Sequence, residues 1–332
     1  MKYKFGKEIS SNFVKEKLNW NSKYYIKLGK KYAKISSLKQ KKCYICSSEK
    51  SHKVSTFFGL NYVMCDKCNH VYMNRRLSDK DLTKYYTEDP NYFNNPYTRK
   101  NIIKLRDTIF KPKIEFIKKL TNGKKWLDVG AGDGAAVFAA KSSKFDVTGI
   151  EISETARMFA KKHRNLNLFN GTLNDFLEQN TAKWDVVSFF GVMEHVPNPV
   201  QVLRQSNKLL KKKGLVAIEV PNYESFSTYF QKLTKSPDRH LSIPAHIMLF
   251  TKKSAEHILR KNGFEPIAIW YYGMDAIELL KYMKLLDKEF FNSELLQALS
   301  TKINEIQNIF DSSEKSDTFL IIGKKISDVK LE

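Results

Sequence analysis

A glycine-rich turn, Asp128-Val-Gly130-Ala-Gly132-Asp-Gly134, narrows the folds open to this chain more than anything else in it. It follows an apolar strand-like run, Lys125–Val129 (KWLDV), and precedes a helical pattern at 135–142. Glycine tolerates positive φ and lets a ligand approach the backbone, and the helix behind the turn offers free N–H donors to an anion. Taken alone, such a turn also suits dinucleotide enzymes and plain tight turns. Its context says more. From residue 125 to about 325, β-like runs alternate with helical ones, the pattern of a doubly wound α/β domain. Strands are expected at 125–129, 145–151, 166–170, 184–190, 214–220, 267–272 and 318–323, seven in all. Helices are expected at 135–142, 153–163, 200–211 and 254–262, with Ser153 and Ser254 as N-caps and Gly263 just past a C-terminus. Segments 222–250 and 274–312 interrupt the rhythm. The second carries Leu295, Leu299, Ile303, Ile306 and Phe310 at helical spacing. Such insertions serve as lids, pocket walls or dimer surfaces.

Three details sharpen the turn. Its spacing is GxGxG rather than GxGxxG. Asp128 precedes it. Glu151 ends the next strand, where a carboxylate can hold a ribose diol. Over roughly residues 100–325 the chain resembles the class I S-adenosylmethionine (SAM)-dependent methyltransferases. The motifs occur in order: LDVGAGDG, GIEIS, WDVVSFFGVMEHVPNP, GLVAIEV and TFLIIGKK. The resemblance implies a seven-stranded Rossmann-like sheet. It places Asp128, Gly130 and Gly132 at the methionine part of SAM, and Glu151 on the ribose hydroxyls. Ile152, Thr172 and Leu173 fall at the adenine, and Phe190 near the sulfonium.

All four cysteines lie in Cys43-x2-Cys46 and Cys65-x2-Cys68. Two such pairs can close a tetrahedral four-thiolate site, so structural zinc is expected, with no open position for chemistry. His52 and His70 read as exposed loop residues beside it. A four-cysteine knuckle before a Tyr-rich connector and a class I domain resembles a group of bacterial methyltransferases. They act in sugar, polysaccharide and secondary-metabolite synthesis. The C-methylating members carry a His-Glu-His segment, whereas this chain reads Pro244-Ala245-His246-Ile-Met-Leu-Phe250-Thr251 and keeps only the last histidine. The expected reaction is therefore methyl transfer to oxygen (or nitrogen) of a small-molecule acceptor, a sugar or nucleotide-sugar. His195, after the fourth strand, and His246, in the first insertion, are the candidate bases. One of Tyr85, Tyr86, Tyr92 and Tyr97 can cap the pocket. Arg75, Arg76 and Arg99 suit a phosphate or a solvated surface.

The organisation expected is a basic leader at 1–42, a zinc knuckle at 43–72, a connector and helix at 73–124, and the catalytic domain at 125–325. The chain has 332 residues and a net charge of +22, of which +19 lies before residue 125. Residues 1–42 alone carry 13 basic and 2 acidic side chains. A lysine-rich leader interleaved with aromatics suits an anionic membrane surface or nucleic acid. Equally, it suits a helix at 22–38, with Tyr25, Leu28, Tyr32 and Ile35 on one stripe, packed on its own protein. An RNA methyltransferase is the competing function, with the leader holding the polynucleotide. No apolar run long enough to cross a membrane and no secretory h-region occur, so a cytoplasmic setting is expected.

Overall fold

The structure is a computed structural model and describes residues 1–5, 23–88, 100–235, 240–286, 289 and 293–330. Expectations resting on Tyr92, Tyr97, Arg99 and the side chain of Tyr25 fall outside what is described.

In chain order the strands are β1 (Lys2–Phe5), β2 (Leu38–Lys39), β3 (Ser51–Phe57), β4 (Leu60–Cys65), β5 (Val71–Met73), β6 (Arg75–Arg76) and β7 (Lys125–Val129). There follow β8 (Asp146–Glu151), β9 (Phe169–Asn170), β10 (Trp184–Phe190), β11 (Leu210–Pro221), β12 (Met248–Leu249), β13 (Phe264–Tyr272) and β14 (Thr318–Lys325). The main sheet has eight strands in the order β1-β13-β14-β11-β10-β7-β8-β9. Parallel pairing runs from β11 through β10, β7 and β8 to β9. The chain starts this run in the middle, at β7, and winds outward both ways. The strand order therefore reverses between β7 and β10, and a ligand crevice belongs at the carboxyl ends of these strands. All seven expected strands are present. The eighth, β1, lies in the stretch read as leader and pairs in parallel with β13, Lys2 to Ala268 through Phe5 to Tyr271.

The described chain forms two compact units. One comprises residues 1–77, 220–255 and 268–321. In it the strands around the cysteines form a four-stranded sheet, β12-β5-β4-β3, whose outer strand β12 comes from the 222–250 segment. The β3–β4 turn places Phe58 (φ 53°) and Gly59 (φ 79°) in the left-handed region, as a two-residue hairpin turn demands. Helix Lys23–Ile35 buries Leu28, Tyr32 and Ala33 in this unit, so the expected amphipathic helix packs on its own protein. Ile35, expected on the same stripe, is instead 54% exposed, because it is the helix's last residue. The stripe of the second insertion is split over helices Glu294–Thr301 and Ile303–Ser312. Leu299, Ile303, Ile306 and Phe310 pack against Ala276, Ile277 and Leu280 of helix Asp275–Leu286. That stripe is thus used within the chain, while Leu295 and Ile309 stay exposed.

The other unit comprises residues 78–219, 256–267 and 322–332. Trp126 and Leu127 of β7 and Val186, Val187 and Phe189 of β10 are fully buried in its core. Ser153 caps helix Glu154–Arg164 as expected, accepting from the Ala156 N–H. Asn198 caps helix Pro199–Leu209, and proline takes the first turn, where no N–H is needed. The expectation for Ser254 needs correction. Helix Lys252–Lys261 is capped by Thr251, whose side chain accepts from the Ser254 N–H at 3.1 Å while Ser254 Oγ accepts from the Thr251 N–H at 2.9 Å. Ser254 is the reciprocal partner in this box, one turn inside.

Candidate active site

At the switch point, a cavity of about 420 Å³ opens between the glycine turn, the end of β8 and the end of β10. That volume suits a small-molecule site. Gly130, Gly132, Glu151, Ile152, Thr172, Leu173, Phe190 and His195 all line it, so most of the expected site residues are brought together.

The turn is shaped for close approach. Gly130 (φ 70°) and Gly132 (φ 56°) both sit in the left-handed region. A Cβ on Gly130 would lie 2.6 Å from a Val192 methyl, whereas one on Gly132 would meet nothing within 4 Å. Gly130 is therefore packed from behind and Gly132 faces open space. The turn is held by a buried carboxylate that sequence reading did not single out. Asp133 is 1% exposed, pairs with Arg106 at 2.8 Å and Arg164 at 3.4 Å, and accepts from the Ala135 N–H.

Glu151 accepts the Gly132 N–H on one oxygen and the Ser153 N–H on the other, both at 2.8 Å. Burial pushes its carboxyl above the ordinary value. Each oxygen keeps lone pairs for a diol. Ile152 and Leu173 supply apolar walls, and Thr172 is not in a free loop but is the N-cap of helix Leu173–Gln179, in a capping box with Asp175.

Asp128 departs from expectation. It is not among the lining residues. It is 2% exposed and accepts from Ser188 Oγ at 2.6 Å, which in turn accepts from Trp126 Nε1 at 2.7 Å. Asp128 and Ser188 are register partners across β7 and β10, so the carboxyl ties these strands beneath the turn. Burial pushes it up to about 7.

Phe190 stands edge-on to Phe110, at 5.4 Å between centroids. Beside them Lys113, 3% exposed, forms an ion pair of 2.5 Å with Glu219. His195 occupies a short 3-10 turn, Met193–His195, directly after β10. Its Nδ1 is 3.0 Å from the Tyr86 hydroxyl, and the rings meet edge to face at 5.6 Å. Tyr86 is the described tyrosine of the connector that lines the cavity, whereas Tyr85 is buried. His195 Nε2 lies 3.9 Å from Glu194 Oε1.

Glu194 is 3% exposed, and its Oε2 has no hydrogen-bond partner among the described residues. Burial pushes its carboxyl up to about 8 from an ordinary 4.5. The folded state thus holds this proton more tightly than the unfolded state, and the group costs stability as pH rises from about 4.5 to about 8. Glu194→Gln is expected to flatten that part of the stability profile. The Tm gap between variant and wild type should widen from pH 5 to pH 8; a constant gap contradicts this account.

His246 belongs to the other unit. There its Nδ1 lies 2.9 Å from the His240 carbonyl oxygen, and its own carbonyl accepts from the Tyr62 hydroxyl. His240 Nε2 lies 3.5 Å from Asp317.

The four cysteines converge in the same unit as His246. Their sulfurs all lie within 4.8 Å of one another, with Cys43–Cys68 at 3.6 Å and Cys46–Cys65 at 3.5 Å, and none is in a disulfide. Four thiolates about 2.3 Å from one ion stand about 3.8 Å apart, so the donor set fits zinc. The two halves repeat one geometry. Ser47 and Asn69, each just after a pair, adopt φ near 60° and donate their N–H groups to the carbonyls of Cys43 and Cys65. A hydrogen bond with Cys68 pulls the Cys43 thiol down to about 5. His70 is not exposed as expected but fully buried, 4.8 Å from the Phe250 ring, and burial lowers its pKa to about 3. Arg76 is also buried, donating to the Tyr44 hydroxyl and the Leu77 carbonyl.

A family model described as "Methyltransferase domain" matches residues 100–269. The ubiquinone biosynthesis O-methyltransferase of Glaesserella parasuis is 34% identical over 122 residues, covering 33% of this chain and 52% of that protein. The protein of the same description from Pseudomonas syringae is 28% identical over 168 residues, covering 46% and 64%. The chain spans about half the length of the first of these relatives. Among solved structures, a chain of the complex between the Haloferax volcanii Trm112 methyltransferase activator and a methyltransferase superposes with a TM-score of 0.51. It is 14% identical, covering 72% of this chain and 98% of that one. At that identity the likeness concerns the fold.

Proposed function

The chain belongs to the methyltransferase-domain family, and from that premise we propose that it is SAM-dependent and that the cavity at the β7–β10 switch point joins SAM to a small hydroxyl-bearing acceptor. The observation that carries this reading is that the glycine turn, Glu151 and the Tyr86–His195 pair line one cavity. SAM fits the groups present: the open face at Gly132, a buried carboxylate with lone pairs to spare, and the apolar side chains of Ile152 and Leu173. When bound it supplies an electrophilic methyl on sulfur, whose carbon–sulfur bond breaks as the acceptor oxygen lone pair forms the new bond.

The chain's own residues position and deprotonate. Glu151 orients the ribose. Phe190, backed by Phe110, excludes water at the reacting end. His195 takes the acceptor proton, and Tyr86 fixes the imidazole through Nδ1. Oxygen is favoured over nitrogen by the names of the curated relatives, O-methyltransferases. A sugar or nucleotide-sugar acceptor rests on the resemblance of the cysteine knuckle and connector to that group of enzymes. In this reading residues 125–325 supply the catalytic domain and the four cysteines hold a structural zinc. Leu28 and Tyr32 pack within their own unit, which takes these two side chains out of any surface offered to RNA.

His195→Ala is expected to lower turnover by about 10²–10⁴-fold, the usual range for general-base catalysis, with SAM affinity changed less than about threefold. Steady-state kinetics with labelled SAM, plus calorimetry, measure both. Turnover unchanged in the variant refutes the role of His195. Label recovered only in RNA refutes the acceptor class.

A further inference from the structure

A second concave site lies wholly within the cysteine-bearing unit. It is a groove of about 580 Å³ whose lining includes Lys39, Lys41, Arg75, Glu49, Asn61 and Asn74. It shares no residue with the cavity of the catalytic unit.

The charges in this groove are not explained by the fold. Lys39 and Arg75 are register partners across the two-stranded ribbon β2–β6. Like charges directly opposite one another on a ribbon are destabilising, and Lys41 adds a third cation. Among the described residues neither lysine has a carboxylate partner. The single acid of the groove, Glu49, is drawn instead toward Lys42 at 3.7 Å.

The guanidinium is nevertheless placed. Arg75 Nη2 donates to the Gly59 carbonyl at 3.3 Å, at the tip of the β3–β4 hairpin. That tip is fixed in turn, because Gly29 of helix Lys23–Ile35 sits so close that a Cβ there would be 2.4 Å from the Phe58 ring. Arg75 keeps the rest of its N–H fork for a ligand. Asn61 spends its side-chain oxygen on the Thr56 hydroxyl at 2.7 Å, which leaves its NH2 as a donor.

We propose that this groove binds a small molecule bearing a diphosphate. Three cations match the charge of a diphosphate, the planar Arg75 fork matches phosphate oxygens, and the amides of Asn61 and Asn74 hold the uncharged remainder. The volume is that of a small-molecule site. The site stands whether or not the methyl acceptor is as proposed above.

The test is calorimetric titration of the full chain with inorganic pyrophosphate at fixed ionic strength, against sulfate and a single-stranded oligonucleotide. Pyrophosphate is expected to bind saturably at one site, at least tenfold more tightly than sulfate and more tightly than the oligonucleotide. Arg75→Gln and Lys39→Gln are each expected to weaken it at least tenfold. Because these side chains are exposed and repel each other, Tm should hold or rise and SAM affinity should not change. No saturable binding overturns the proposal. So does equal binding of sulfate, binding that survives both substitutions, or an oligonucleotide that binds more tightly than pyrophosphate.

Discussion

Gly130→Ala is expected to weaken SAM binding at least about 100-fold. Two costs fall on the same atom. The left-handed conformation at φ 70° costs a non-glycine residue roughly 1–2 kcal/mol. The new methyl would also lie 2.6 Å from Val192 Cγ2, on a residue that itself lines the cavity. Relief requires the turn or Val192 to move. The turn cannot shift alone, because Asp133 anchors it to Arg106 and Arg164 and the Gly132 N–H is bonded to Glu151. The strain therefore passes to Glu151. A loss of about 3 kcal/mol or more corresponds to at least 100-fold in Kd. Gly132→Ala is the contrast: it pays the same conformational cost but meets no protein atom within 4 Å, so its methyl would protrude into the ligand space. Its binding loss should come with a smaller fall in Tm than that of Gly130→Ala. Calorimetry and thermal melts on both variants separate the effects. Wild-type SAM affinity in Gly130→Ala would refute this account of the turn.

Cys65→Ser is expected to empty the metal site and unfold its surroundings. Cys65 is fully buried, and its N–H and carbonyl already serve the knuckle, to the His70 carbonyl and from the Asn69 N–H. Three remaining thiolates and a hydroxyl bind zinc far less well, and the energy of a structural zinc is folding energy, on the order of 10 kcal/mol in small zinc modules. Losing several kcal/mol of it, at about 2–4 °C per kcal/mol, lowers Tm by about 10 °C or more. Metal analysis should find one zinc per wild-type chain and none in the variant. A chelator should reproduce the melt of the variant. A four-thiolate site has no open coordination position, so zinc removal acts through stability rather than chemistry. Wild-type protein that carries no metal after refolding with excess zinc would remove the site.

What was legible in the sequence was local. The glycine turn, the strand after it and the carboxylate that ends that strand are encoded within 24 consecutive residues, 128–151, and of the site residues read there Gly130, Gly132 and Glu151 line the cavity. Asp128 lies outside the lining, its carboxyl taken by Ser188, its register partner 60 residues away. The Tyr86–His195 pair spans 109 residues and could not be chosen from four tyrosines by spacing. His70 looked like a loop residue because its cover comes from Phe250, at the far end of an insertion. Asp133 offered one signal, an acid inside a glycine turn ahead of a helix, but its two arginine partners lie on other elements.

The strand β1 carries a consequence for synthesis. Its partner β13 lies roughly 260 residues further along the chain. On a ribosome adding about 5–20 residues per second, Lys2–Phe5 waits unpaired for tens of seconds before its docking edge exists. That edge of the main sheet is therefore closed by a segment made long before its partner, a contact of very long range and slow by its nature. Once docked, β1 covers the edge of β13 and turns Lys2 and Tyr3 outward, with a charge where a neighbouring chain would otherwise add a strand.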